Sequence, residues 1–142
     1  MKTLDVGVGI VIRGQRVLIT RRQAEDSFGG YWEFPGGKRE DGESIEQCVV
    51  RELWEECELR VMTGQALAVV EHAYPTVKVR LHPFFCRDAD EGEPAVKLVC
   101  VAEARWVLPG ELCGYQFPEA NGPLILAVVK ELGESSGRER PG

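Results

Sequence analysis

The sequence predicts an α/β domain, and three observations carry that expectation. Near the N-terminus an apolar alternation reads as a strand, a capped amphipathic stretch reads as a helix, and β-branched runs then separate that helix from a second one near the C-terminus. The alternation sets Val6, Val8, Ile10 and Ile12 against Gly7, Gly9 and Val11, the period of two that gives a strand one well-buried face.

The elements follow in order. Gly14 makes a turn, and Val17-Leu18-Ile19-Thr20 reads as a second strand, so the pair forms a hairpin. Gly29-Gly30 and Gly36-Gly37 bracket Tyr31-Trp32-Glu33-Phe34-Pro35, a loop-rich stretch with a short strand at most. Ser44-Ile45-Glu46-Gln47 has the form of a capping box, so a helix starts at Ser44 and runs to Cys57. Its apolar residues Ile45, Val49, Leu53 and Cys57 recur at every fourth position and make one core-facing stripe. Residues 67–73, 77–86 and 96–107 carry strand signals, divided by Tyr74-Pro75 and by an acidic stretch from Asp88 to Pro94. The second helix is expected over 122–132, with Pro123 in its first turn, where a missing N–H costs nothing. There is no internal repeat. Residues 1–133 are expected to form a single domain, and the polar residues 134–142 a flexible tail.

Composition excludes several function classes. The formal net charge of −6 argues against a binder of nucleic-acid polymers, which needs a basic stripe. Cys48, Cys57, Cys86, Cys100 and Cys113 are odd in number and show no C-x-x-C spacing, so reduced, mostly buried thiols are expected in place of a zinc site. Cys48 and Cys57 fall on the first helix as inert core thiols. No signal-peptide stretch opens the chain, and no run approaches the ~18 apolar residues of a membrane span, so a cytoplasmic protein is expected. It is expected to be a monomer or homodimer.

The chemistry concentrates in Gly36-Gly37-Lys38-Arg39-Glu40-Asp41-Gly42-Glu43 and in Arg51-Glu52-Leu53-Trp54-Glu55-Glu56. On a helix Glu52, Glu55 and Glu56 stand at i, i+3 and i+4 and share one face. Their mutual repulsion weakens the helix, and Glu55 and Glu56 also lie near its C-terminus, where the macrodipole disfavours anions. A solvated acidic face is the bland alternative. Against it, a hard divalent cation relieves the repulsion, and magnesium takes oxygen ligands. Arg51 pairs with Glu55 at i+4, holding a carboxylate in orientation, while Gly36-Gly37 lets backbone approach a ligand and Glu43 adds a further acid.

The run from Gly37 through Glu43 to Arg51-Glu52-Leu53-x-Glu55-Glu56 resembles the Nudix box, G-x5-E-x7-R-E-U-x-E-E-x-G-U, with Leu59 as the final bulky aliphatic. The one departure is Glu58, where the family has glycine. If that position is left-handed, Glu there costs about 1 kcal/mol. The resemblance implies an α/β/α sandwich around a mixed sheet, with the box as a loop–helix–loop. It implies Glu52, Glu55 and Glu56 as metal ligands, Gly37 as a backbone ligand position, and Arg51 with Glu43 as the supporting pair. The metal it implies is Mg2+, with Mn2+ as a substitute. Glu52 is implied as the proton acceptor, and the substrate as a small-molecule nucleotide.

Outside the box, Thr20-Arg21-Arg22, Trp32-Glu33-Phe34-Pro35-Gly36-Gly37-Lys38 and Phe117-Pro118-Glu119-Ala120-Asn121 look like the MutT branch, which hydrolyses oxidised purine triphosphates such as 8-oxo-dGTP. That likeness places Arg22 and Lys38 at the substrate and makes Asn121 the reader of the base. Asn121 is alternatively a helix N-cap, Arg22 a surface charge, and Phe34 either core or a wall of the base pocket. Trp32 and Trp106 read as packing residues, and His72 and His82 have no partners visible in sequence and no expected catalytic role. The branch uses another glutamate from a later loop, for which Glu103 is the nearest acid. A pyrimidine (CTP/dCTP) pyrophosphohydrolase is the rival enzyme reading. A non-catalytic module that recognises a damaged base is the rival outside the enzymes, although such modules usually lose the box acids.

Overall fold

The computed structural model describes residues 1–139. Its elements in chain order are β1 (Lys2–Arg13), β2 (Arg16–Arg21), β3 (Trp32–Glu33), β4 (Gly36–Lys38), α1 (Ile45–Cys57), β5 (Val61–Ala66), β6 (Val70–Ala73), β7 (Val77–Asp88), β8 (Glu103–Val107) and α2 (Gly122–Glu139). The strands form one mixed sheet ordered β3-β2-β1-β7-β5, with β4 on β1, β6 on β7 and β8 on β2. β1 and β7 run parallel, in register from Lys2↔Val77 to Val11↔Cys86, and the other pairs are antiparallel.

The alternation read along β1 sorts the core into two layers. Val8, Ile10 and Ile12 pack with Val17, Ile19, Trp32 and Val107, and with Leu124 and Val128 of α2. Val11 and Leu18 pack on the other face with Val49, Leu53 and Cys57, the stripe of α1. One helix therefore covers each face, which is the α/β/α sandwich. Gly7 and Gly9 share the α1 side, where a Cβ on Gly9 would lie 2.8 Å from Leu53 Cδ2 and one on Gly7 3.0 Å from Cys48 Sγ. The two glycines let the helix sit close against the strand. Leu53 is fully buried there, worth roughly 1.5–3 kcal/mol over an exposed side chain.

Three expectations need correction. β5 is absent from the strand signals because it is an edge strand, Val-Met-Thr-Gly-Gln-Ala, in which Val61 alone is buried. Only 103–107 of the expected strand 96–107 pairs, with β2. The preceding stretch serves α1 instead. Lys97 N donates to Cys57 O at 3.0 Å, and Val99 N and Cys100 N donate to Glu56 O at 3.1 and 3.2 Å. These are carbonyls that a helix C-terminus leaves without internal partners. Finally, α2 runs past Gly133, so the expected tail falls partly on its last turns, and residues 140–142 lie outside the described residues. No helix among the described residues is long and apolar enough to cross a membrane.

Candidate active site

α1 opens as expected, with Gln47 N donating to Ser44 Oγ at 3.0 Å and Ser44 N to Gln47 Oε1 at 2.8 Å. Fixing that end fixes which way its later turns project. Arg51 is the hub. Its Nη2 and Nε donate to both oxygens of Glu43 at 2.7 and 3.0 Å, and its Nη1 to Glu52 at 3.0 Å and Glu55 at 3.1 Å. The expected Arg51–Glu55 and Arg51–Glu43 pairs are thus both present, with Glu52 joined to them. Glu43 also accepts from Glu40 N at 2.8 Å. The Arg51 guanidinium, then that backbone bond, hold the Glu43 carboxyl down to about 2, and the bonds of Arg51 to Glu43 and Glu52 raise its own pKa.

Gly37 lies on β4 opposite Gly7, and a Cβ there would fall on the Glu52 carboxylate. Glycine is what allows this backbone and that acid to meet. Beyond them lies a cleft of about 250 Å³ lined by Arg22, Asp26, Glu33, Glu52, Glu55, Glu56 and Cys100. Three of its acids resist ionisation. Burial, with the charges of Glu33 and Glu52, pushes Glu56 up to about 9. Burial raises Glu52 against the pull of Arg51, and Glu33 against that of Arg22. Such a set of oxygens fits a hard cation, whose charge would allow them to ionise together. Among the described residues no three His, Cys, Asp or Glu side chains form a ready metal cage. Magnesium does not demand one, because it keeps several waters and completes its shell with substrate phosphates.

The remaining expected residues are distributed unevenly. Arg22 does reach the cleft, where its Nη1 donates to Glu33 at 3.0 Å. Lys38 is exposed at the end of β4, and its carbonyl accepts from Arg51 at 3.1 Å. Phe34 is 3% exposed and packs on Phe117 with centroids 5.4 Å apart, so it is a core residue on the α2 face. Asn121 is half-buried in a 3-10 turn (Glu119–Asn121), and its Nδ2 donates back to Pro118 O at 3.5 Å. His82, read as partnerless, lies 2.8 Å from Asp5, which also takes the fork of Arg80 at 2.9 and 3.2 Å. These three line a wider groove at the other end of α1, away from the acid face. Cys48, Cys57 and Cys86 are buried thiols, while Cys100 and Cys113 are exposed.

Glu103 does not join the cleft, which corrects its assignment as a metal ligand. On β2, Arg21 pairs with both Trp32 and Glu103, while Thr20 pairs with Glu33 and Ala104. Directly opposed residues share a face and successive ones alternate, so Glu103 lies with Trp32 on the α2 side and Glu33 on the α1 side. Glu103 bonds Arg21 at 2.9 Å and Arg105 at 3.4 Å. Besides Asp26, the added acid of the cleft is Glu33, which the sequence reading missed. Its signal was a single charge between the aromatics Trp32 and Phe34, both of which point into the core.

Residues 7–127 match the family model described as NUDIX domain. The chain belongs to the Nudix family. Like other Nudix hydrolases it is an enzyme that needs a divalent cation. It is 38% identical over 133 residues to the 8-oxo-dGTP diphosphatase of Escherichia coli K12, covering 93% of this chain and 100% of that protein. It is 31% identical over 129 residues to the CTP pyrophosphohydrolase of the same organism, covering 91% and 93%. A solved MutT structure, from work on Aliivibrio salmonicida and Vibrio cholerae, superposes with TM-score 0.70 at 32% identity, covering 92% of this chain and 99% of that one. The Nudix box departs from its family pattern at Glu58, which is the C-cap of α1 at φ 47°, ψ 41°. A non-glycine residue therefore holds the left-handed position expected there.

Proposed function

We propose that this Nudix hydrolase is a nucleoside triphosphate pyrophosphohydrolase that uses Mg2+, with Mn2+ as a substitute. It releases nucleoside monophosphate and pyrophosphate from oxidised purine nucleotides such as 8-oxo-dGTP, and so cleans the precursor pool. The observation that carries the reading is the single cleft in which Glu52, Glu55 and Glu56 meet the cation Arg22. The likeness to 8-oxo-dGTP diphosphatases supports the choice of substrate.

Glu52, Glu55 and Glu56, with the backbone of Gly37, would hold the ion. When bound, it neutralises phosphate oxygens and acidifies the attacking water. Glu52 accepts the proton of that water, and its bond from Arg51 keeps the carboxylate in place. Glu43 keeps Arg51 in place in turn. Arg22 binds a phosphate oxygen, and Lys38 adds positive charge at the rim. Asn121 reads the base. Oxidation at C8 turns N7 from an acceptor into a donor, which an amide oxygen accepts, and an unoxidised base would leave that oxygen unpaired.

The likeness to a CTP pyrophosphohydrolase favours one second reading, a pyrimidine substrate. Turnover of a nucleotide panel with Mg2+ separates the two. Faster release of pyrophosphate from CTP or dCTP than from 8-oxo-dGTP would defeat the lead. A non-catalytic damaged-base module would release none from any nucleotide. Glu52→Gln is expected to lose several orders of magnitude in rate while folding normally, because it removes charge and keeps shape.

A further inference from the structure

Arg22 is held more firmly than a surface arginine. The β2–β3 loop closes around it, with Arg22 N donating to Tyr31 O at 2.9 Å and Gly30 N to Arg22 O at 3.1 Å. Its Nε donates to Ser27 O at 2.6 Å, and its Nη1 to the two oxygens of Glu33 at 3.0 and 3.4 Å. Among the described residues its Nη2 has no hydrogen-bond partner, although Arg22 lines the cleft beside Glu52, Glu55 and Glu56. Both partners are partly shielded, with 30% of the Arg22 side chain and 19% of the Glu33 side chain exposed.

Glu33 is a poor choice for stability alone. It adds a further negative charge beside acids that already repel one another. A neutral Gln would accept a hydrogen bond from Arg22 without that repulsion. What a carboxylate adds is a charge-assisted bond, roughly twice as strong as a neutral one, that fixes the plane of the guanidinium. We propose that Glu33 is a positioning residue which, with the Ser27 carbonyl, pre-sets Arg22 so that Nη2 meets a phosphate oxygen of the substrate. The inference rests on the function proposed above. Two of three donor sites are satisfied before substrate arrives, so binding orders little that is not already ordered.

A double-mutant cycle tests this, with inorganic pyrophosphate as the probe in saturating Mg2+, read by calorimetry. Glu33→Gln and Arg22→Ala are each expected to weaken pyrophosphate about tenfold, the scale of one charged hydrogen bond. The double variant should bind no more weakly than Arg22→Ala alone. Glu33→Asp keeps the charge but draws it back by one methylene, and it should show the same loss. Mn2+ affinity without pyrophosphate, read by electron paramagnetic resonance, should stay within about twofold in Glu33→Gln. Additive losses in the cycle would overturn the positioning role. So would a loss of Mn2+ affinity in Glu33→Gln, which would make Glu33 an ion ligand. Wild-type protein that binds no pyrophosphate would instead overturn the proposed function, and this role with it.

Discussion

Arg51 Nη2 lies 2.7 Å from Glu43 Oε1, and that bond ties the loop before α1 to the acid face of the helix one turn and more away. The same guanidinium reaches Glu52 and Glu55. Lysine is a point charge and cannot make the fork to Glu43 while bridging two further acids. Arg51→Lys should therefore lower activity about 10–100-fold, the scale for losing a supporting partner of a metal site. Steady-state rates alongside urea unfolding check this. An unchanged kcat/KM would remove Arg51 from the supporting role.

The Glu43 end of that bond sets an acid limit. Its carboxyl is held down to about 2 against an ordinary 4.5, so its contribution is fully present above pH 4.5. It is lost as pH falls through that window, where the unfolded chain binds the proton first. Asp5, lowered by Arg80 and His82, acts in the same direction. Urea midpoints measured between pH 5 and pH 2 should fall steeply in the wild type and less steeply in Glu43→Gln. Equal slopes would show that Arg51 does not stabilise the ionised form.

Glu58 offers a gain of stability. It sits at φ 47°, and its partner Lys97, at 3.2 Å, is a mostly exposed ion pair worth little. Glu58→Gly removes a left-handed penalty of about 1 kcal/mol, partly offset by the greater freedom of glycine in the unfolded chain. Thermal unfolding should show a rise of about 1–4 °C for a domain of this size. A lower Tm would mean that the Lys97 contact outweighs the backbone strain.

What the sequence disclosed follows from the range of the physics involved. Helical spacing puts Glu52, Glu55 and Glu56 on one face whatever the rest of the fold does, and Ser44 with Gln47 marks where that helix starts. Those features are local. Glu33 and Glu103 are opposite cases, since each belongs to a strand whose face depends on pairing with β2. Chain position alone suggested Glu103, while register with Arg21 turns it to the α2 side and register with Thr20 turns Glu33 to the α1 side. Residues 96–102 look like a strand because Val96, Val99 and Val101 are β-branched, yet the N–H groups of Lys97, Val99 and Cys100 are taken by the end of α1. The glycines of β1 show only alternation in sequence, and their use as a seat for α1 needs the helix in place.

Glu56 makes stability, pH and cation binding parts of one experiment. Its carboxyl is pushed up to about 9 by burial and by the charges of Glu33 and Glu52, against an ordinary 4.5. Between those values the folded chain binds more protons than the unfolded one, so without a cation stability falls as pH rises through the window. Glu52 and Glu33 are raised as well and add to the same slope. A divalent cation needs the carboxylate, so its binding expels the proton and its affinity grows with pH. Calorimetric scans in EDTA should give a lower Tm at pH 8.5 than at pH 6. Mg2+ at a hundred times its Kd adds about 2.7 kcal/mol wherever it binds. At one fixed Mg2+ concentration the increment should therefore be larger at pH 8.5 than at pH 6. Glu56→Gln should flatten the EDTA slope and shrink the Mg2+ increment together. A wild-type Tm in EDTA that holds level or climbs from pH 6 to pH 8.5 would mean that Glu56 is already ionised without the ion, and that the acids are not crowded enough to need it.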